Sequence, residues 1–201
     1  MNKKQGSSLY IALFVLSVFL SGCAGTVKNM RVVPDDRIVS APSDGKSVVI
    51  FMRPSGVGFA IQSSVFEIKG DTPVLAGILA AKKKVAYKLE PGKHLFMVVG
   101  ESADFMSAEL EANKIYYALV TPRMGWWKAR FSLEPINITE LKPSQLNEWL
   151  EGCEWVEISA ASNNWASANM NSIQSKRNEY YSEWIRKGLS DRPKLEQHDG
   201  Q

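Results

Sequence analysis

The chain has 201 residues, 45% hydrophobic and 22% charged, with a formal net charge of +3. Apolar side chains are plentiful enough for a buried core, which excludes a disordered chain, and the charge balance falls far short of a nucleic-acid-binding surface. Two cysteines and two histidines exclude a disulfide framework and a metal centre built on nitrogen and sulfur ligands.

Lys3 and Lys4 precede an apolar run from Leu9 to Leu20, which closes on Leu20-Ser21-Gly22-Cys23. A cationic start, a short apolar centre and small residues at a cleavage point make an export signal. The run's twelve residues are fewer than the roughly 20 that cross a bilayer. Leu20-Ser21-Gly22-Cys23 resembles the lipobox of bacterial lipoproteins, in which the cysteine thiol takes up a diacylglyceryl group and becomes the new amino terminus. The resemblance implies a signal peptide over residues 1–22, lipidation at Cys23, palmitate-type chains and a membrane held through them. Two or three such chains anchor a protein essentially permanently. Ala24 follows the cysteine, and a non-aspartate there resembles the signal for the outer membrane, periplasmic face, with the inner membrane as alternative. Cleavage would remove Lys3 and Lys4 and bring the chain close to neutrality, so no nucleic-acid partner is expected. With Cys23 acylated, Cys153 has no intramolecular partner. Glu151 and Glu154 flank it and oppose a thiolate, so a packed thiol is expected.

Residues 23–46 contain Gly25, Pro34, Asp35, Asp36, Pro42, Asp44 and Gly45 with no sustained period, the composition of a linker. Residues 47–138 read as strands. Val48 to Met52 is a continuous apolar run, as in a strand covered on both faces. Phe66 and Ile68, then Val85, Tyr87 and Leu89, alternate with polar neighbours, and Val74 to Leu79 lies between them. Pro91-Gly92 predicts a type II turn, proline setting the first central residue and glycine supplying positive φ at the second. His94 to Val99, Phe105 to Leu110, Ile115 to Thr121 and Ala129 to Leu133 complete about eight short strands, and their spacing predicts an antiparallel β-sandwich.

Residues 139–190 read as a helical appendage. Ser144 is placed to cap a first helix with Leu146, Trp149 and Leu150 on one stripe, ended by Gly152. A second helix is predicted from Asn164 to Lys187, with Trp165, Ile173, Tyr180, Tyr181, Trp184 and Ile185 at near-helical spacing. Residues 191–201 read as a polar tail.

Phe51-Met52-Arg53-Pro54-Ser55-Gly56, Glu90-Pro91-Gly92-Lys93-His94, Gly100-Glu101-Ser102, Tyr116-Tyr117-Ala118 and Pro122-Arg123-Met124-Gly125 together resemble an uncharacterised family of Gram-negative lipoproteins carrying a small β-sandwich domain. More distantly, the Pro-Gly-Lys-His turn is similar to PEGA-type and prealbumin-like modules. The resemblance implies a fold of this class over about Ser47 to Ile136 and brings no catalytic residues or cofactor with it.

Chemistry-bearing groups are sparse. Ser63 or Ser64, His94 and Asp104 compose a hydrolase trio on paper, as any domain with one histidine does. Gly56-Val57-Gly58 reads as a turn rather than an anion cradle, since it lacks the strand-to-helix setting and the lysine. Glu101, Asp104, Glu109 and Glu111 form an acidic group for which solvated charge is the favoured reading over cation binding. Catalytic, metal and cofactor sites are therefore expected to be absent. The expected function is a non-catalytic binding or structural module of the envelope, meeting another envelope protein or a cell-wall component. The alternative is an envelope hydrolase using His94 or the acidic loop around Asp104. Arg123, Trp126 and Lys128 are the candidate binding residues: Trp127 keeps the phase of inward Ala129, Phe131 and Leu133, which leaves Trp126 facing outward, where an indole dominates interfaces.

Overall fold

The computed structural model describes residues 28–34, 39–123 and 130–201. Cys23, Trp126, Trp127 and Lys128 lie outside those residues. In chain order the described elements are β1 (Met30–Val32), β2 (Ser47–Arg53), β3 (Ser63–Lys69), β4 (Thr72–Leu79), β5 (Lys83–Leu89), β6 (Gly92–Val99), β7 (Ala103–Leu110), β8 (Ile115–Arg123), β9 (Arg130–Pro135), α1 (Pro143–Glu151), β10 (Glu154–Ile158), α2 (Ala160–Trp184) and β11 (Lys194–Leu195). One sheet has the order β1-β10-β5-β2-β8-β9 and the other β11-β7-β6-β3-β4. The chain is mainly β with a C-terminal helical segment, as its patterning predicts. It differs in detail: eleven strands are described, and β2 with β8, β5 with β10 and β7 with β11 pair in parallel.

β2 is the centre of the first sheet, between antiparallel β5 and parallel β8. All seven of its residues are buried, because each of its faces has a cover. Val49 and Phe51 face the second sheet and share its apolar cluster. Val48, Ile50 and Met52 face outward, beneath Leu146, Trp149 and Leu150 of α1. Between the sheets Phe51 meets Phe96 edge-on at 5.1 Å, a geometry that adds about 1 kcal/mol to the burial of both rings. The far face of the second sheet is covered by α2, where Tyr181 and Trp184 stack at 6.0 Å and lie 5.4 and 5.9 Å from Phe105 of β7. The order of layers is thus helix, sheet, sheet, helix.

Local signals are placed as follows. Gly92 has φ +123°, the positive value expected after Pro91, and the turn carries the chain from β5 in one sheet to β6 in the other. α1 begins one residue before Ser144: Pro143 occupies the first turn and Lys142 is the cap residue, with no side-chain cap bond. α2 starts earlier than its aromatic stripe, since Ser159 and Ser162 form a reciprocal capping box that satisfies two otherwise orphaned amides. Ile185, expected on the stripe, is exposed, because the helix has ended at Trp184.

Three segments read from composition have more structure than expected. In the linker, Met30–Val32 pairs antiparallel with β10. In the helical appendage, β10 enters the first sheet beside β5, with Lys83 ion-paired to Glu154 and the Lys84 ammonium 4.7 Å over the Trp155 ring. In the polar tail, β11 lies along β7 with Leu195 fully buried, and Gln201 exchanges two backbone hydrogen bonds with Ile115 at 2.8 and 3.1 Å. Gly200 lies flat on Tyr116: a Cβ there would meet the ring at 2.6 Å. Its φ of −93° is open to any residue, so only the ring opposes a side chain. Gly200→Ala is expected to cost about 2 kcal/mol through this overpacking, read as a lower urea midpoint with unchanged slope. An unchanged midpoint would show that the tail does not rest on Tyr116.

Candidate functional site

His94, in β6, is the only histidine in a strand among the described residues. Its Nδ1 lies 2.8 Å from Glu67 Oε1 and its Nε2 2.9 Å from the Glu90 carbonyl oxygen. The Tyr87 hydroxyl donates to Glu67 Oε2 at 2.6 Å and the Lys69 ammonium lies 3.3 Å from the same oxygen. Burial alone would raise the Glu67 carboxyl, but the bonds from His94, Tyr87 and Lys69 outweigh it and hold the group at about 2. Burial, with the Glu67 carboxylate second, pushes the Tyr87 phenol well above its usual range. Ionised carboxylate and carbonyl oxygens only accept hydrogen bonds. Both imidazole nitrogens are thus turned to acceptors of the chain itself, and neither is left open to a substrate. Glu67 on β3 and Tyr87 on β5 belong to different sheets, so the group is a polar clip across the sandwich.

The hydrolase trio is not assembled. Ser64 pairs with Val99 and Asp104 with Val98, whereas His94 pairs with Ala108. Four to five residues of strand therefore separate them from the imidazole, about 13–17 Å. The acidic group is dispersed in the same way. Asp104 is ion-paired with Lys187 at 3.3 Å, Glu109 with Lys194 at 3.3 Å and Glu111 with Lys114 at 2.5 Å. Among the described residues no group of three metal-ligating side chains converges.

Gly56-Val57-Gly58 is indeed a turn, and what organises it is Arg53. The Arg53 side chain is fully buried and donates to the carbonyls of Val57 at 3.0 Å, Gly58 at 2.8 Å, Ile61 at 2.6 Å and Leu79 at 3.4 Å. Its guanidinium also lies 4.7 Å over the Phe131 ring. With carbonyls turned inward to a cation, the turn is the opposite of an anion cradle. Burial lowers the Arg53 guanidinium from 12.5 to about 10. Cys153 is equally inert: its thiol is buried, and burial pushes it up to about 11.

The described residues form a cleft of about 180 Å³ where β7, β8, β9 and α2 meet, lined by Ser102, Asp104, Arg123, Arg130, Ser132 and Tyr180, with Glu183 at its edge. Sequence reasoning named Asp104 and Arg123 for separate reasons, and the fold brings them to 3.6 Å. It missed Arg130, Ser132, Tyr180 and Glu183. Ser132 is 1% exposed and its Oγ has no hydrogen-bond partner, nor has the buried Asp104 Oδ2. A larger groove of about 450 Å³ lies over the outer face of the first sheet between Val39–Asp44 and Val48, Ala86 and Lys88. Its two charges close on each other, Lys88 and Asp44 being 2.7 Å apart.

No protein-family model matches the chain, and no curated protein matches it. The cleft therefore has to be read from its own chemistry. No helix among the described residues is long and apolar enough to cross a membrane.

Proposed function

We propose that the chain is a lipid-anchored protein of the bacterial envelope, held through Cys23 on the periplasmic face of the outer membrane, whose sandwich binds a ligand or partner without converting it. The observation that carries the binding reading is the cleft: a buried hydroxyl with no hydrogen-bond partner and a buried carboxylate oxygen that accepts no hydrogen bond and meets only the Arg123 guanidinium at 3.6 Å, with Arg130 beside them. Leaving such groups unbonded costs about 1–3 kcal/mol each, a cost that a bound polar ligand removes. The engagement of both His94 nitrogens and the separation of His94 from Ser64 and Asp104 count against the hydrolase alternative.

The tether fits this reading. Met30 pairs with Ile158, four residues of strand beyond Glu154, and Glu154 is level with Lys83 and Arg53. β1 thus begins about 13 Å from the Arg53 end of the sheet, and Arg123 lies beyond that end, since Met52 already pairs with Leu119. Seven residues from Cys23 to Met30 reach at most about 25 Å. A sandwich so tethered sits close to the bilayer with its cleft turned away from the anchor.

Labelled palmitate tests the anchor. Incorporation is expected in the wild type and not in Cys23→Ser, which should be recovered in the soluble periplasmic fraction. Equal labelling of the two would overturn the localisation.

A further inference from the structure

Resting on the reading that the sandwich binds rather than converts, we infer that the cleft between β7, β9 and α2 takes a small zwitterion, an α-amino acid or the end of a short peptide. Size is the first argument. The cleft, of about 180 Å³ and open to solvent, admits a small ligand such as alanine.

Charge is the second argument. Arg123, Arg130, Asp104 and Glu183 give the cleft two charges of each sign, which suits a ligand of no net charge with separated ends. Arg123 and Asp104 pair with each other, which leaves Arg130 and Glu183 for a ligand. Among the described residues Arg130 and Glu183 make no ion pair, although both line the cleft. Asp104 is held by Lys187 through Oδ1 at 3.3 Å, and its Oδ2 stands 3.6 Å from Arg123 without accepting a hydrogen bond.

Satisfaction of buried groups is the third. Asp104 Oδ2 needs a donor and Ser132 Oγ needs a partner. An ammonium group brings three donors, enough for Asp104, Ser132 and the nearby Glu183. The ligand's carboxylate then meets the Arg130 guanidinium, whose fork matches a carboxylate bidentately, with Arg123 as a second cation. The Tyr180 ring supplies a wall.

Isothermal titration of the full chain with D- and L-alanine, alaninamide, N-acetylalanine and glucose tests this. Alanine is expected to bind, and the two blocked derivatives, each lacking one charge, to bind at least about tenfold more weakly. Arg130→Gln and Ser132→Ala should each weaken alanine binding about tenfold without lowering Tm, Ser132→Ala raising it by removal of an unbonded buried hydroxyl. Equal binding of a blocked derivative, or an Arg130→Gln variant that binds alanine normally, would overturn the zwitterion. Glucose binding in place of alanine would also overturn it while leaving a binding module intact. No heat from any of these probes would remove the cleft as a small-molecule site, while the palmitate result stands independently.

Discussion

Arg53→Met is expected to unfold at a Tm roughly 10 °C lower than the wild type, a loss of about 3 kcal/mol for a chain of this size. Two opposing effects set the figure. Burial of an arginine with no carboxylate within 4 Å among the described residues is costly: the fall from 12.5 to about 10 corresponds to roughly 3 kcal/mol, which methionine would recover. Against this stand the bonds from the guanidinium to Val57, Gly58 and Ile61, at 2.6–3.0 Å. Hydrogen bonds to a charged group contribute about 1.5–3 kcal/mol each, together about twice the cost of burial. The contact with Phe131 adds to them. The bonds win. Their loss should fall first on residues 54–62, where Val57, Phe59 and Ile61 are already exposed. Hydrogen exchange should report it, because the Ile61 amide, bonded to the Gly58 carbonyl at 2.9 Å, should lose protection before the strands do. Arg53→Lys should recover only part of the stability, since an ammonium cannot reach several carbonyls with a planar fork. A methionine variant as stable as the wild type would mean that the carbonyls are equally well served by water.

What could be read from the sequence follows from how far apart the determinants lie. β2 was legible because its burial on both faces is written in its own apolar run, and the passage from β5 to β6 because proline and glycine act on their own dihedrals. The parallel pairing of β2 with β8 joins residues more than sixty positions apart, and a buried strand has the same pattern whichever way its neighbour runs. β10 did carry a signal, since Trp155, Val156 and Ile158 favour strands. Five residues between two helices were absorbed into the helical reading. β11 has one apolar side chain, Leu195, and nothing in its composition reports that β7 offers it an open edge.

The same distinction governs the site. Asp104 and Arg123 were individually visible as charged residues in a strand-rich region. Ser132 was read only as the polar partner of Phe131 and Leu133, a position that predicts solvent. It is buried instead because β9, at the edge of its sheet, also meets β7 and the end of α2. Glu67 shows the converse. A carboxylate alternating with Phe66 and Ile68 reads as the outward face of a strand, yet β3 is covered on both faces. Its unbroken register with β6 sets Glu67 beside Phe96, on the face that meets Tyr87 and His94 inside the sandwich, while Phe66 lies beside Met97 on the opposite face.

Because Glu67 is buried and ionised, the protein should lose stability in acid at a defined point. Its carboxyl has an ordinary value of 4.5 and is held at about 2 in the folded chain, so the folded state binds its proton less readily than the unfolded one. A depressed folded value contributes stability that is complete above the unfolded value, and the contribution disappears as pH falls through the folded one. The window is therefore pH 4.5 down to about 2, and the size is about 3 kcal/mol. Salt should screen only a small part of it. The Lys69 side chain is 58% exposed and its pair with Glu67 weak, whereas the His94 and Tyr87 bonds are enclosed by the two sheets. Glu67→Gln keeps the shape and removes the charge, so it should be about 3 kcal/mol less stable at pH 6 and should lack the acid limb between pH 4.5 and 2. Urea unfolding of both proteins at pH 6, 4, 3 and 2 measures the difference directly. Their stabilities should converge as pH falls, since protonation of the wild type removes what the glutamine never had. Curves that stay parallel down to pH 2 would show that the clip is held together by shape and burial rather than by the ionised carboxylate.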